Sequence, residues 1–108
     1  MLEPDIERAL RSEGFRLIYD WRDEPHTEYP DHAHLCLTAH IILEGERSVT
    51  MEGRTRIYRA GERFDVPAGT VHSAKMGPAG CRYMVGRNRQ RFAHRNRNSV
   101  VILPDDPS

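Results

Sequence analysis

The sequence predicts an all-β sandwich or barrel preceded by one short helix. Short apolar segments with a period of two recur along most of the 108 residues, and turns rich in glycine separate them at intervals of roughly ten residues. Only the N-terminal segment has helical spacing. Strands that follow one another without intervening helices favour packed antiparallel sheets over a parallel α/β fold.

The predicted helix covers residues 4–12. Pro4 suits the first helical position, Asp5 lies in the first turn and Arg11 lies near the end, as the helix dipole favours. Gly14 is expected to end the helix. The apolar side chains follow helical spacing, so that one face should lie on the sheet: Leu2, Ile6, Ala9 and Leu10.

From residue 15 the period becomes two. A first strand should bury the face made of Phe15, Leu17, Tyr19 and Trp21, and residues 26–34 should form an extended edge segment broken by prolines. Gly45 is expected to reverse the chain, Glu52-Gly53 to form a tight hairpin turn, and residues 77–80 to form another turn. The remaining predicted strands are residues 38–44, 47–51, 54–59, 64–66, 71–75, 81–85 and 99–103.

Length and composition indicate one domain without a membrane span. No run of eighteen apolar residues occurs, and the charged N-terminus lacks the apolar core of a secretory signal. We therefore expect a cytoplasmic protein in which the two cysteines, Cys36 and Cys81, are free thiols.

The net charge of zero conceals an asymmetry. Residues 1–31 carry nine acidic side chains and four arginines, whereas residues 87–98 carry five arginines and no acid. The favoured interpretation is a solvated segment balanced by the acidic N-terminal part, followed by contact with a partner subunit. Nucleic-acid binding is the least favoured, because the segment has one aromatic residue and the chain is neutral.

Three of the six histidines lie between residues 30 and 45. His32 and His34 are two apart, so in a strand they share one face at roughly 6.6 Å along the chain. Two neutral imidazoles at that spacing can converge on one transition-metal ion. His72 follows a second ordered motif and is the candidate third ligand.

That second motif resembles one of the two motifs of the cupin superfamily, Gly-x5-Pro-x-Gly-x2-His. Gly61, Pro67, Gly69 and His72 match it without departure, and Met76 stands where the family often has asparagine. Pro67 fixes a turn and Gly69 permits a backbone conformation that other residues resist. This corner should direct His72 into the barrel.

The first cupin motif is matched less completely. His32, His34 and Gly45 fit, but Thr38 occupies the position of the family's glutamate. Three neutral imidazoles without a carboxylate imply either a more open and more Lewis-acidic site or a site with weaker metal affinity or none.

The resemblance covers residues 15–86 approximately and implies a double-stranded β-helix, the RmlC-like cupin jelly roll. We expect a single cupin domain over residues 1–108, with a core at about 15–86, a helix within 1–14, and an Arg-rich segment and tail over 87–108. A divalent iron, nickel, manganese or zinc ion should bind inside the barrel. The predicted ligands are His32, His34 and His72, with His40 as a candidate fourth.

His40 has two interpretations. In one straight strand it would lie roughly 20 Å from His34, too far to share an ion. If residues 35–37 turn the chain back, Thr38 returns to the depth of the metal and His40 lies one pleat further in. It is then either a fourth ligand or a hydrogen-bonded histidine at the floor of the pocket.

The resemblance implies a small metal-binding protein but does not identify its substrate. As an enzyme, such a protein would be a metal-dependent dioxygenase or isomerase that acts on a small organic molecule. The alternative is a non-enzymatic module that binds or senses a small ligand, and no catalytic residue is assigned. Most aromatic candidates for a pocket wall are expected to be core residues: Tyr19, Trp21, Tyr29, Phe64 and Tyr83. Cys36 is a minor candidate for a soft ligand.

The outward face of the most apolar strand must also be covered. If Thr38 and His40 point inward, then Ala39, Ile41 and Leu43 point outward. Either the N-terminal helix or a second subunit should pack on this face, and a homodimer is the preferred hypothesis.

Overall fold

A computed structural model describes residues 2–88. The predicted strand at 99–103 and residues 89–98 of the Arg-rich segment lie outside this range. Within it, one helix precedes six strands. The elements are α1 (Glu3–Ser12), β1 (Leu17–Asp23), β2 (Glu28–His32), β3 (Thr38–Met51), β4 (Arg54–Arg59), β5 (Arg63–Val66) and β6 (His72–Arg87).

The strands form one antiparallel sheet in the order β1-β6-β3-β4, with β2 also paired to β6 and β5 also paired to β3. This arrangement confirms the predicted all-β fold of the cupin type, a double-stranded β-helix with one short helix. The two long strands, β3 and β6, form its centre and pair along almost their whole length.

Several local predictions are confirmed. The helix ends as expected, because Gly14 has a φ of 103° and its N–H donates to the Arg11 carbonyl at 3.0 Å. Glu52 and Gly53 both have positive φ, 54° and 77°, which is the geometry of a tight hairpin turn between β3 and β4.

The predicted reversals at Gly45 and at residues 77–80 are wrong. β3 runs continuously through Gly45, and β6 runs through residues 77–80. The register between these strands shifts at Ile42/Glu44 and again at Gly45/Arg47, so the glycines mark irregularities of the ladder instead of turns. A Cβ on Gly45, whose φ is 78°, would collide with the Gly80 carbonyl oxygen, so glycine permits a close approach of two backbones.

The predicted burial of one face of β1 is also wrong in part. Leu17 and Trp21 are 36% and 44% exposed, whereas Phe15 is buried and Tyr19 packs against the interior. β1 lies at the edge of the described sheet, where it pairs with β6, and side chains at a sheet edge are more open to solvent.

Two buried clusters occupy the two sides of β3 and β6. The helix lies on the outer side, as predicted, and covers the outward face of β3. The helix layer consists of Ile6, Leu10, Phe15, Ala39, Ile41 and Met84, with Ile18 and Leu43 packed against it. The face that had suggested a second subunit is therefore covered within one chain.

The interior cluster fills the space between the strands. Its buried apolar members are Ile42, Val49, Tyr58, Phe64, Val66, Ala74, Met76, Cys81, Tyr83 and Val85. Burial raises the pKa of the Cys81 thiol to about 11. Cys36 and Cys81 are both free, in agreement with the prediction.

Arg82 fastens the helix to the sheet. Its guanidinium donates to Glu3 of α1 at 2.6 Å, to Asp20 of β1 at 2.9 Å and to Glu44 of β3 at 2.7 Å. These hydrogen bonds lower the pKa of the Glu3 and Glu44 carboxyl groups. Within residues 2–88, no helix has the length and apolarity needed to cross a membrane.

Candidate metal centre and barrel interior

His32 and His72 face each other across two paired strands. His32 ends β2, His72 begins β6, and the two are register partners in the antiparallel ladder. Their ring centroids are 4.2 Å apart. The fold therefore brings together two histidines that are forty positions apart in the sequence because they occupy matching ends of neighbouring strands.

A backbone hydrogen bond positions the third histidine. The Gly69 N–H, in the second motif, donates to the carbonyl of His34, in the first motif, at 2.8 Å. Gly69 has a φ of 77°, which glycine adopts without strain. The His34 ring then lies 5.1 Å from the rings of both His32 and His72.

The three histidines form a group that fits one metal ion. Their ligand nitrogens all lie within 4.8 Å of one another, and each side chain is buried. Within residues 2–88, no carboxylate or thiol joins this group. Cys36 instead donates its S–H to the Asn88 carbonyl at 3.2 Å.

Backbone carbonyls fix the orientation of two of the rings. His32 Nδ1 lies 2.6 Å from the Pro30 carbonyl, and His72 Nδ1 lies 3.1 Å from the Thr70 carbonyl. A carbonyl oxygen can only accept, so in each neutral ring Nδ1 carries the proton and the lone pair is on Nε2. This is the tautomer that a metal-binding histidine needs.

His40 is buried next to this group but is not part of it. The chain bends at residues 35–36 and returns, so Thr38 and His40 both lie inside the barrel. His40 Nε2 is 3.0 Å from the Thr38 hydroxyl, and its ring stacks on Phe64 at 4.5 Å with an interplanar angle of 3°. Desolvation, together with the positive charge of Arg47, holds the pKa of His40 well below its ordinary value, so the ring is neutral.

Arg47 is an interior residue that the sequence analysis did not identify. Thr38, His40 and Ile42 point inward, so strict alternation would direct Arg47 outward. The register shifts between Ile42 and Arg47 reverse the alternation, and Arg47 is fully buried. The unusual density of glycines opposite this part of β3 was the signal that could have indicated the bulges.

Aromatic rings and one acid surround Arg47. Its Cζ lies 5.0 Å from the Phe64 centroid and 4.7 Å from the Tyr83 centroid. Tyr83 in turn donates its hydroxyl to Asp23 at 2.7 Å. Burial and the bond to Asp23 raise the pKa of Tyr83 despite the opposing effect of Arg47, so the phenol is neutral.

The aromatic candidates for a pocket wall divide into three groups. Phe64 and Tyr83 are buried beside Arg47 and His40, Tyr19 and Tyr29 pack against the same interior cluster, and Trp21 lies mainly outside. Ordinary core packing is therefore combined with contact to interior polar groups.

Comparison with known proteins identifies one matching family. The model of the AraC-like ligand binding domain matches residues 17–103. No curated protein matches the chain.

Solved structures similar to this chain have the same fold. An RmlC-like cupin from Shewanella frigidimarina NCIMB 400 is 25% identical, with a TM-score of 0.63 and coverage of 70% of this chain and 68% of that one. A cupin-2 domain containing protein from the same organism is 23% identical, with a TM-score of 0.59 and coverage of 67% and 69%.

A third similar structure belongs to a larger protein. The DMSP lyase DddQ from Ruegeria pomeroyi DSS-3 is 23% identical and has a TM-score of 0.63, with coverage of 71% of this chain and 40% of the lyase. The chain therefore has the cupin fold and belongs to the family of AraC-like ligand-binding domains.

Proposed function

We propose that this protein binds a divalent transition metal on His32, His34 and His72 and binds a small organic molecule beside it. The observation that carries the proposal is the convergence of three buried imidazoles from two separate motifs, with ligand nitrogens within 4.8 Å of one another. Nitrogen ligands of this kind suit iron, nickel, manganese or zinc.

The residues fit such an ion chemically. A buried imidazole can also be satisfied by hydrogen bonds alone, but here the Nδ1–H groups of His32 and His72 donate to backbone carbonyls and leave Nε2 of each ring to bind an ion. A metal held by three neutral histidines keeps its positive charge and supplies Lewis acidity to a bound molecule.

The metal-centred interpretation includes an enzyme, a dioxygenase or isomerase. A second interpretation is a non-enzymatic module that binds or senses a small ligand. The match to AraC-like ligand-binding domains favours this second class, and so does Thr38 at the position where cupins have a charged ligand.

We assign His40 to the floor of the ligand pocket. Its Nε2 is within hydrogen-bonding distance of Thr38 and its ring stacks on Phe64, so a move to the ion would break both contacts. A His40→Ala variant should keep the metal, and loss of the metal from that variant would restore His40 as a fourth ligand.

Metal analysis of the untagged protein tests the proposal. We expect close to one equivalent of iron, nickel, manganese or zinc in the wild type, and its loss in His32→Ala and His72→Ala. The matched control is His26→Asn, because His26 is exposed and has a φ of 61° that asparagine tolerates. A wild type that neither carries nor takes up metal would refute metal binding.

Ligand binding before and after metal removal separates the two classes. If a ligand binds equally well to the metal-free protein and is recovered unchanged, the module is non-enzymatic. If the ligand is converted only by the metal-loaded wild type, the protein is an enzyme.

Two further predictions concern assembly and location. The helix covers the outward face of β3, so that face no longer argues for a homodimer. Gel filtration with light scattering over micromolar concentrations tests the homodimer, and a monomer throughout would refute it.

The cytoplasmic location is tested by fractionation of cells that express the full chain. Nucleic-acid binding remains unexpected, and Arg87 of the Arg-rich segment is buried in the barrel.

A further inference from the structure

Arg47 is a buried cation whose guanidinium forms no hydrogen bond with any residue in the described range 2–88. The side chain has no exposed surface, and within the described part of the chain its Nε, Nη1 and Nη2 atoms form no hydrogen bond. A buried charge without a partner is strongly unfavourable, and buried guanidinium groups are normally paired. A buried arginine of this kind is stabilised only when a further group accepts its hydrogen bonds.

The residues around Arg47 satisfy its faces but not its N–H groups. Phe64 and Tyr83 contact the guanidinium through their rings, and a ring face attracts a cation without accepting the in-plane hydrogen bonds. The two rings therefore stabilise the charge of Arg47 but leave its N–H groups without acceptors among residues 2–88.

The nearby acid is already occupied. Asp23 is the one buried acidic side chain among residues 2–88, whereas two arginines, Arg47 and Arg87, are buried there. Asp23 accepts hydrogen bonds from Tyr29 at 2.8 Å, Tyr83 at 2.7 Å and Trp21 at 3.0 Å. Asp23 is thus held by three other donors, and within residues 2–88 no hydrogen bond joins it to Arg47.

We propose that Arg47 binds the carboxylate of a small organic ligand inside the barrel, which names the ligand class of the function proposed above and rests on it. A carboxylate is planar, accepts two parallel hydrogen bonds from a guanidinium and carries a single negative charge. A phosphate would bring about −1.5 to −2 charges at neutral pH, more than one buried guanidinium compensates.

The same rings connect Arg47 with the metal side of the interior. His40 stacks on Phe64 at 4.5 Å and lies 6.1 Å from the Tyr83 ring, the two rings that contact Arg47. His40 Nδ1 is buried and forms no hydrogen bond within the described residues. A ligand bound at Arg47 would therefore have His40 Nδ1 as a second polar group beside the same two rings.

A surface groove lies next to this position. It has a volume of about 690 Å³ and is lined by Val49, Met51, Glu52, Arg54, Thr55, Arg56 and Tyr58. Tyr58 is the register partner of Arg47 and its ring lies 4.6 Å from Phe64. Rotation of the Tyr58 side chain would connect the groove with Arg47, so we place the ligand entrance there.

Thermal unfolding with matched probe pairs tests the proposal. The probes are acetate, pyruvate and benzoate, each compared with its uncharged amide, and inorganic phosphate serves as a separate arm. We expect at least one carboxylate to raise the Tm of the wild type by several degrees while its amide does not. Arg47→Met should abolish that shift, and Arg47→Lys, which keeps the charge but lacks the fork, should retain part of it.

Two measurements guard against an unfolded variant. Arg47→Met removes a buried unpaired charge, so its Tm without probes should be equal to or higher than that of the wild type. Arg16→Gln, at an exposed arginine that does not line the groove, is the matched control and should keep the carboxylate shift. A lower Tm for Arg47→Met without any probe, beyond the change in Arg16→Gln, would show that Arg47 has an internal structural partner and would overturn the proposal.

The results with the probes can also overturn the proposal. The proposal is overturned if no carboxylate acts more strongly than its amide, if the shift survives in Arg47→Met, or if phosphate is the probe with the larger effect. Metal content is measured on the same samples. Loss of metal binding with an intact Arg47-dependent shift would refute the proposed metal centre alone, and intact metal with no carboxylate shift would refute this inference alone.

Discussion

The two sides of β3 and β6 are equally buried but chemically opposite. Under the helix, Ala39 and Ile41 belong to a layer made entirely of apolar side chains. One residue away on the same strand, Thr38 and His40 face an interior that also holds two arginines and three clustered histidines. Burial alone therefore does not distinguish a stabilising core from a binding site.

The difference follows from what each side encloses. The helix layer gains free energy from apolar area removed from water. The interior contains groups whose burial opposes folding unless a partner satisfies them. The helix layer therefore stabilises the fold, whereas the interior is the part that we propose to bind metal and ligand, and the following predictions separate these roles.

The largest expected effect is on metal binding as a function of pH. Protons compete with the metal for the three imidazoles, so the metal affinity should fall steeply below about pH 6. The sign is fixed because only the neutral ring binds. Competition with a zinc chelator measures it, and a change below tenfold would argue against ligation by histidines.

Removal of packing in the helix layer should act on stability alone. Leu10 lies on the buried face of the helix and is 1% exposed, so Leu10→Ala should lower the free energy of unfolding by about 2–4 kcal/mol. The matched control is Leu2→Ala at the N-cap position just before the helix, where the side chain is 69% exposed and the change should stay within about 0.5 kcal/mol. Urea unfolding gives both values, and loss of metal from folded Leu10→Ala would contradict the separation of roles.

The close approach of β3 and β6 is tested by two glycines with nearly equal φ. Gly45→Ala combines a φ of 78° with a collision against the Gly80 backbone, whereas Gly53→Ala, at 77°, has open space around the new methyl group. We expect about 1 kcal/mol of destabilisation from the backbone conformation at Gly53 and at least about 2 kcal/mol more at Gly45. Equal losses in urea unfolding would show that the strands separate easily at the bulge.

The smallest effect concerns the ion pairs that hold the helix. The pKa values of Glu3 and Glu44 are lowered by hydrogen bonds from Arg82, so their contribution is present above the unfolded pKa of 4.5 and is lost as the pH falls through the folded values. The Tm of the wild type should therefore decrease from pH 6 to pH 3.5 by a few degrees more than that of Arg82→Gln. Parallel decreases would mean that these exposed pairs contribute nothing measurable.

The clustering of His32, His34 and His72 could be predicted from the sequence because each of these candidate ligands lies in a motif with its own local constraint. Pro67 and Gly69 fix the corner before His72, and the spacing of His32 and His34 follows from the strand period. The convergence of these residues depends on a hydrogen bond between Gly69 and His34 and on the pairing of β2 with β6. The motif resemblance supplied that long-range information, which the period alone does not contain.

Arg47 could not be predicted because its direction depends on the partner strand. Alternation along β3 is interrupted twice, and the interruption arises from how β6 pairs with it. Gly45 was interpreted as a chain reversal for the same reason: a positive φ suits a turn and a bulge equally. Local sequence identifies such a residue but not which of the two structures the tertiary pairing selects.

The pairing of β1 with the end of β6 has a consequence for how the chain folds. Leu17 is opposite Arg87, so the first strand and the end of the last strand form one ladder, and this ladder cannot be completed until residue 87 has been synthesised. Folds dominated by such distant contacts acquire their native state in milliseconds to seconds instead of microseconds. Stopped-flow refolding followed through Trp21 should show this slow phase, and microsecond folding would contradict it.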